Sequence, residues 1–299
     1  MISKPLGQTG ISVPEIGLGT YNYKGDIAPL RKGFEAGALF LDTAESYGTE
    51  PLAGEALLGF RDRVFLVSKV SHDHLRRGDL LAAADRSLKA LRTDRIDLYL
   101  VHAPDATTPI AETMGAMEEL VDAGKVRFIG VSNFYLPDLQ EAQKAMRKHR
   151  IAANQMSYSL AERTVDPELL SYCHQSGISL IAYSPLARGL PFLMEKDPNG
   201  VLSQVARETG KTIAQVAINW CLRHDHVFAI PKGNTIPHIL ELCGASGWQL
   251  TPAQVRLLSD NVRFHRRGPL ENFVRRVLSR SAQEKVSRLL QLLRPSPKH

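Results

Sequence analysis

Eight short apolar runs punctuate the first 233 residues of the chain. They are EIGLGT (15–20), LFLDT (39–43), VFLVSKV (64–70), IDLYLVH (96–102), VRFIGVS (126–132), AANQMSYS (152–159), SLIAYSP (179–185) and VFAIPKG (227–233). Runs that stay apolar at successive positions predict strands buried on both faces, as in a parallel sheet. The stretches between them follow another period. Leu80, Ala83, Ala84, Leu88 and Leu91 recur at i, i+3, i+4 spacing, and so do Ile110, Met114, Met117 and Val121. That spacing predicts amphipathic helices. Eight strand–helix units predict an α/β fold, a closed (β/α)8 TIM barrel. Ahead of the first run, Ser3 to Pro14 holds two short segments around Gly7 and Gly10, the pattern of an N-terminal β-hairpin. No linker divides the chain before residue 261, so residues 1–261 are expected to form one barrel.

After Asn261 the pattern changes. Gly268-Pro269 precedes an apolar stripe of Leu270, Phe273, Val274, Val277 and Leu278, then Val286, Leu289, Leu290 and Leu293, which Pro295 and Pro297 end. This predicts a basic amphipathic helix within a C-terminal extension, residues 262–299. The charge supports the division. Val262 to His299 carries ten of the 37 basic residues and two of the 31 acidic ones, leaving 27 basic and 29 acidic in the rest. The net charge of +6 is therefore a property of the tail, and no nucleic-acid partner is expected. The stripe is expected to pack on the barrel or on a sister subunit, in a monomer or homodimer. An anionic membrane surface is the weaker alternative. Cys173, Cys221 and Cys243 are widely spaced, which argues for a reducing compartment. No run approaches the ~18 apolar residues of a membrane span, and MISKPLGQTG has no secretory apolar region. A cytoplasmic protein is expected.

Polar residues within or just after buried runs are the informative exceptions. Asp42 ends the second run, with Tyr47 five residues on. Lys69 lies near the end of the third and His102 ends the fourth. Ser132 and Asn133 end the fifth, Gln155 lies in the sixth, Tyr183 and Ser184 end the seventh, and Lys232 ends the eighth. In a barrel these fall on the face where active sites are built. A buried lysine beside a carboxylate can keep its charge, and an ammonium near a phenol favours the phenolate. With a histidine to hold the substrate oxygen, Asp42, Tyr47, Lys69 and His102 make a general-acid device for an oxygen gaining negative charge. Carbonyl reduction by hydride is such a reaction, and the hydride requires a cofactor. GLGT (17–20) holds only part of a GxGxxG pattern, and its place is the first barrel strand, so a Rossmann site is not the reading.

These residues fall within motifs that occur in order: GLGTY (17–21), LDTAESYG (41–48), SKV (68–70), LVHAP (100–104), GKVRFIGVSNF (124–134), NQ (154–155), YSPLARG (183–189) and IPKGNT (230–235). Together they make residues 1 to about 261 resemble the aldo-keto reductases. The resemblance implies NAD(P)H-dependent reduction of an aldehyde or ketone, a small carbonyl substrate and no metal. It implies that Tyr47 donates the proton, that Lys69 and Asp42 tune it, and that His102 orients the carbonyl. It assigns Ser132, Asn133 and Gln155 to the nicotinamide carboxamide and Tyr183 to stacking on the ring. Ser184, Leu186, Arg188 and Gly189 match the pyrophosphate-side loop. Lys232, Asn234 and Thr235 match the segment that meets the adenosine 2′-phosphate, with Gly233 between them. Gly19, Thr20, Tyr21, Asp42 and Glu241 complete the expected cofactor contacts. Departures are Ala103, where the family commonly has Trp, His238 in place of a phosphate-clamping Arg, and Leu242 in place of an adenine-side Asn. NADPH is the expected cofactor, with NADH as the alternative. A nicotinamide-nucleotide-binding regulatory subunit with little turnover is the alternative function.

Overall fold

The computed structural model describes residues 1–165, 167–187 and 189–265. The eight apolar runs fold as eight parallel strands. After the hairpin strands β1 (Ser3–Pro5) and β2 (Ser12–Pro14), they are β3 (Leu18–Gly19), β4 (Phe40–Asp42), β5 (Phe65–Val70), β6 (Ile96–Val101), β7 (Val126–Ser132), β8 (Ile151–Ser157), β9 (Ser179–Tyr183) and β10 (Val227–Ile230). Each of β3 to β10 pairs with its neighbour in chain order. The ring closes between its ends. Ile16 bridges Ala229 in parallel. The Gly17 N–H donates to the Ala229 carbonyl at 2.8 Å, the Ala229 N–H to Glu15 at 2.9 Å, and the Gly19 N–H to Pro231 at 2.9 Å. The architecture is a (β/α)8 barrel.

Alternation along each strand divides the core into two layers. Phe40, Phe65, Val67, Leu98, Leu100, Ile181 and Phe228 fill the barrel interior. Leu41, Leu66, Val70, Tyr99 and Val101 face the surrounding helices. The helix Arg77–Leu91 buries Leu80, Ala83, Ala84 and Leu91, and the helix Ile110–Asp122 buries Met114 and Met117. These are positions of the predicted stripes. At Gly130 in β7 a Cβ would lie 2.8 Å from the Ala153 carbonyl oxygen, so only glycine permits this close approach of β7 and β8.

The hairpin caps the end of the barrel where the strands begin. Lys4 pairs there with Glu15 at 3.1 Å. Its ammonium also donates to the carbonyls of Leu222, His224 and Val227 at 2.7, 3.2 and 3.3 Å. At the other end, the chain leaving the last described helix, Pro252–Asn261, returns to the loop after β8. The His265 N–H donates to Ala161 and the Arg163 N–H to His265. The basic helix expected over Leu270 to Leu293 lies outside the described residues. Among the described residues, no helix is long and apolar enough to cross a membrane.

Candidate active site

Parallel register brings the polar exceptions to one rim. Asp42 is opposite Val67, Lys69 opposite Leu100, Ser132 opposite Gln155, and Ser157 opposite Tyr183. Lys69 shares the inward face of β5 with Phe65 and Val67 and has no exposed surface. Its neighbour Ser68 points the other way and donates to Glu50 Oε1 at 2.6 Å. The Lys69 ammonium donates to Asp42 Oδ1 at 2.6 Å and to the Thr43 carbonyl at 2.8 Å. The second oxygen of Asp42 accepts from Gln155 Nε2 at 2.7 Å. Burial pushes the Asp42 carboxyl above its ordinary range, opposed by Lys69. Burial likewise draws the Lys69 ammonium below its own, opposed by Asp42 and then by Glu50. Each group thus depends on the other to hold charge out of water.

Tyr47 stands over this pair on a short 3-10 turn, Glu45–Tyr47, that follows β4. Gly48 closes the turn at φ 69°, a left-handed conformation that favours glycine. Glu45 pins the turn to the loop after β5. It accepts from the Ser71 N–H at 3.0 Å and from Arg86 at 2.9 Å, and pairs with His74 at 2.9 Å. The Lys69 ammonium lies 4.8 Å from the centre of the Tyr47 ring. The His102 ring meets Tyr47 edge-on at 5.4 Å, and Tyr21 meets it from another side at 5.0 Å. Asp42, Tyr47, Lys69 and His102 therefore form one cluster. Ser46, which the sequence did not single out, joins it with Oγ 3.3 Å from His102 Nδ1.

Beside the cluster runs a chain of amides and hydroxyls. Ser132 Oγ donates to the Gln155 carbonyl at 3.0 Å. Asn133, at φ 62°, donates from Nδ2 to the His102 carbonyl and to Ser132 Oγ, both at 3.0 Å. Its Oδ1 accepts from the Tyr183 hydroxyl at 2.9 Å. Thr20 donates to the Asp42 carbonyl at 3.0 Å, which ties β3 to β4. Ser184 and Ala187 are left-handed at φ 50° and 53°, Leu186 is half-buried, and Gly189 has φ 106°. Arg188 lies outside the described residues.

A second group gathers after β10. Lys232 Nζ donates to the Asn22 carbonyl at 3.1 Å, and Asn234 Oδ1 accepts from the Lys24 N–H at 3.1 Å. These bonds hold the loop after β3 against the loop after β10. Thr235 caps the helix Ile236–Cys243 and accepts from the His238 N–H at 3.4 Å. Gly233 has no room for a side chain beyond a small shift, since a Cβ would meet the Ile239 nitrogen at 3.1 Å. Glu241 contributes its carbonyl to Gln215 Nε2 at 2.9 Å, and Leu242 is buried. Among the described residues, no group of three or more His, Cys, Asp or Glu is placed to hold a metal ion.

The family model described as Aldo/keto reductase family matches residues 15–261. The chain belongs to the aldo/keto reductase family. It is 36% identical over 258 residues to the methylglyoxal reductase YeaE of Escherichia coli, covering 83% of this chain and 90% of that one. The structure superposes with a TM-score of 0.81 on the thermostable aldo-keto reductase Tm1743 in complex with the inhibitor epalrestat. That match has 38% identity and covers 87% of this chain and 99% of the other. An aldo/keto reductase from Klebsiella pneumoniae in complex with NADP and acetate gives a TM-score of 0.78 at 34% identity, covering 89% and 98%. Membership makes this protein an oxidoreductase, in a family whose members reduce small aldehydes and bind nicotinamide cofactors.

Proposed function

We propose that the protein reduces a small aldehyde or ketone to the alcohol, taking hydride from NADPH and a proton from Tyr47. The observation that carries this reading is the cluster itself. One fully buried ammonium sits 2.6 Å from a carboxylate and 4.8 Å from the centre of a tyrosine ring, with an imidazole on the ring's edge. Tyr47 gives its hydroxyl proton to the carbonyl oxygen as that oxygen gains charge. The Lys69 ammonium stabilises the phenolate left behind, and Asp42 keeps that ammonium charged and fixed. His102 holds the oxygen in line. A charge fixed in place before the reaction needs no reorganisation when charge develops, which is why a buried pair serves here better than a solvated one.

The cofactor supplies the hydride when bound, and the chain's residues fit it. Tyr183 offers a ring at the end of β9, while Ser132, Asn133 and Gln155 offer amides and hydroxyls beside the cluster. Lys232 is exposed and, among the described residues, pairs with no carboxylate. With the adjacent N-terminus of the helix Ile236–Cys243, where the helix dipole is positive, it provides charge that suits a phosphate. This supports NADPH over NADH.

The test is loss of reduced-nicotinamide absorbance with methylglyoxal, other small dicarbonyls, aromatic aldehydes and keto sugars. It compares NADPH with NADH, and wild type with Tyr47→Phe. The variant keeps the ring and removes the proton. It should lose carbonyl reduction by about a hundredfold or more while still binding cofactor. Near-normal turnover would remove Tyr47 as the acid. Tight cofactor retention without turnover of any carbonyl would point to a nucleotide-binding regulatory subunit.

A further inference from the structure

The turn that carries Tyr47 brings a second polar group to His102. Ser46 Oγ lies 3.3 Å from His102 Nδ1. A neutral imidazole has one N–H and one lone pair, and the partner on one nitrogen decides which of the two keeps the proton. A carbonyl acceptor at Nδ1 would draw the proton there. A hydroxyl can instead donate into Nδ1 and leave the proton on Nε2. Only the second state presents an N–H to an oxygen gaining negative charge.

The contact is exposed, and the elements that carry its two partners are held in place. The His102 carbonyl is held by Asn133 Nδ2 at 3.0 Å, which fixes the backbone. The Tyr47 ring lies against the imidazole at an interplanar angle of 74°. The turn is anchored through Glu45 to Ser71, His74 and Arg86. Acid and orienting group are thus set by neighbouring residues of one short turn.

We propose that Ser46 is a positioning residue that sets the tautomer of His102. Its hydroxyl donates to Nδ1, so the neutral ring carries its proton on Nε2 and offers that N–H to the substrate carbonyl. The consequence for rate rests on the carbonyl-reductase reading above, but the tautomer is measurable without turnover. In the full-length protein with 15N-labelled histidine, long-range 1H–15N spectra report each ring nitrogen, and the His102 signals are those lost in His102→Gln. Wild type should show a protonated Nε2 and a bare Nδ1, and Ser46→Ala should show a mixture of tautomers. Removing one neutral hydrogen bond to a group used in the reaction should lower kcat/KM about threefold to tenfold. NADPH affinity and thermal stability should be unchanged, and Ser46→Thr, which keeps the hydroxyl, should restore both tautomer and rate. A protonated Nδ1 in wild type would overturn the proposal. So would a Ser46→Ala protein with the wild-type tautomer, or with the wild-type kcat/KM. If wild type reduces no carbonyl, the catalytic reading fails by itself, and the spectra still decide the role of Ser46.

Discussion

A lysine with no exposed surface must hold its charge by contact, and Lys69 does so through Asp42 Oδ1 at 2.6 Å and the Thr43 carbonyl at 2.8 Å. Lys69→Met would remove the charge proposed to stabilise the Tyr47 phenolate and leave the Asp42 carboxylate, among the described residues, bonded to the Gln155 amide. Breaking a buried pair in this way costs about 3–5 kcal/mol. Denaturant unfolding should show that loss, and carbonyl reduction should fall as far as in Tyr47→Phe. Asp42→Asn should weaken activity less. A Lys69→Met protein of wild-type stability and rate would contradict the pairing. Residues such as Lys69 were legible in the sequence because a charge inside a run like VFLVSKV has no other home. The bond between Gln155 and Asp42 was not, since 113 residues separate them and only barrel closure brings them together. Ser46 gave no signal at all. A serine in an exposed turn looks like any other until the ring it faces is placed.

At the scale of elements, continuous apolar runs found the strands almost residue for residue, because both faces of each strand are covered. β7 spans Val126–Ser132, the run itself. The first strand is the exception. EIGLGT yields a regular strand only at Leu18–Gly19, and its remaining bonds, from Glu15, Gly17 and Gly19, serve to close the ring. The alternation implied one helix between β9 and β10, yet three form: Leu190–Glu195, Val201–Thr209 and Ile213–Cys221. Pro198 with Gly200, and then Gly210, interrupt the helical path, and both glycines are left-handed, at φ 67° and 64°. The helix Ile236–Cys243 carries a consequence for the cofactor. Its exposed His238 stands where the resemblance implies an arginine, and an imidazole lacks the guanidinium's fork of donors. NADPH should be preferred over NADH in the ratio of their dissociation constants, with the exposed Lys232 beside this helix. His238→Arg should raise NADPH affinity by adding a guanidinium fork to this face. Equal binding of both cofactors would rule out a role for this face.

The whole molecule divides its polar residues between two ends of one barrel. The rim after the strands gathers the groups proposed to do the chemistry. The end before the strands is closed by the hairpin, and there Arg223 and the imidazoles of His174, His224 and His226 line a cavity of about 380 Å³, with the Lys4 ammonium bonded to the His224 carbonyl nearby. His226 stacks at 4.8 Å from His174 and 5.8 Å from His224. Burial, and then the charges of Arg223, His226 and Lys4, push His224 down from 6.5 to about 4, with Asp225 opposing. Burial also lowers His226. In the unfolded chain His224 would take up its proton near 6.5, whereas in the fold it stays neutral until about 4. Across that window the unfolded state binds more protons, so stability falls as the solution is acidified through it. The contribution is fully present above the window and lost below. His224→Gln removes the titrating group without adding charge. The melting temperature of the variant, measured against wild type, should gain as pH falls from 6.5 toward 4, most steeply between those two values, where the unfolded imidazole is protonated and the folded one is neutral. A difference that stays constant with pH would show that His224 is protonated in the fold as readily as out of it.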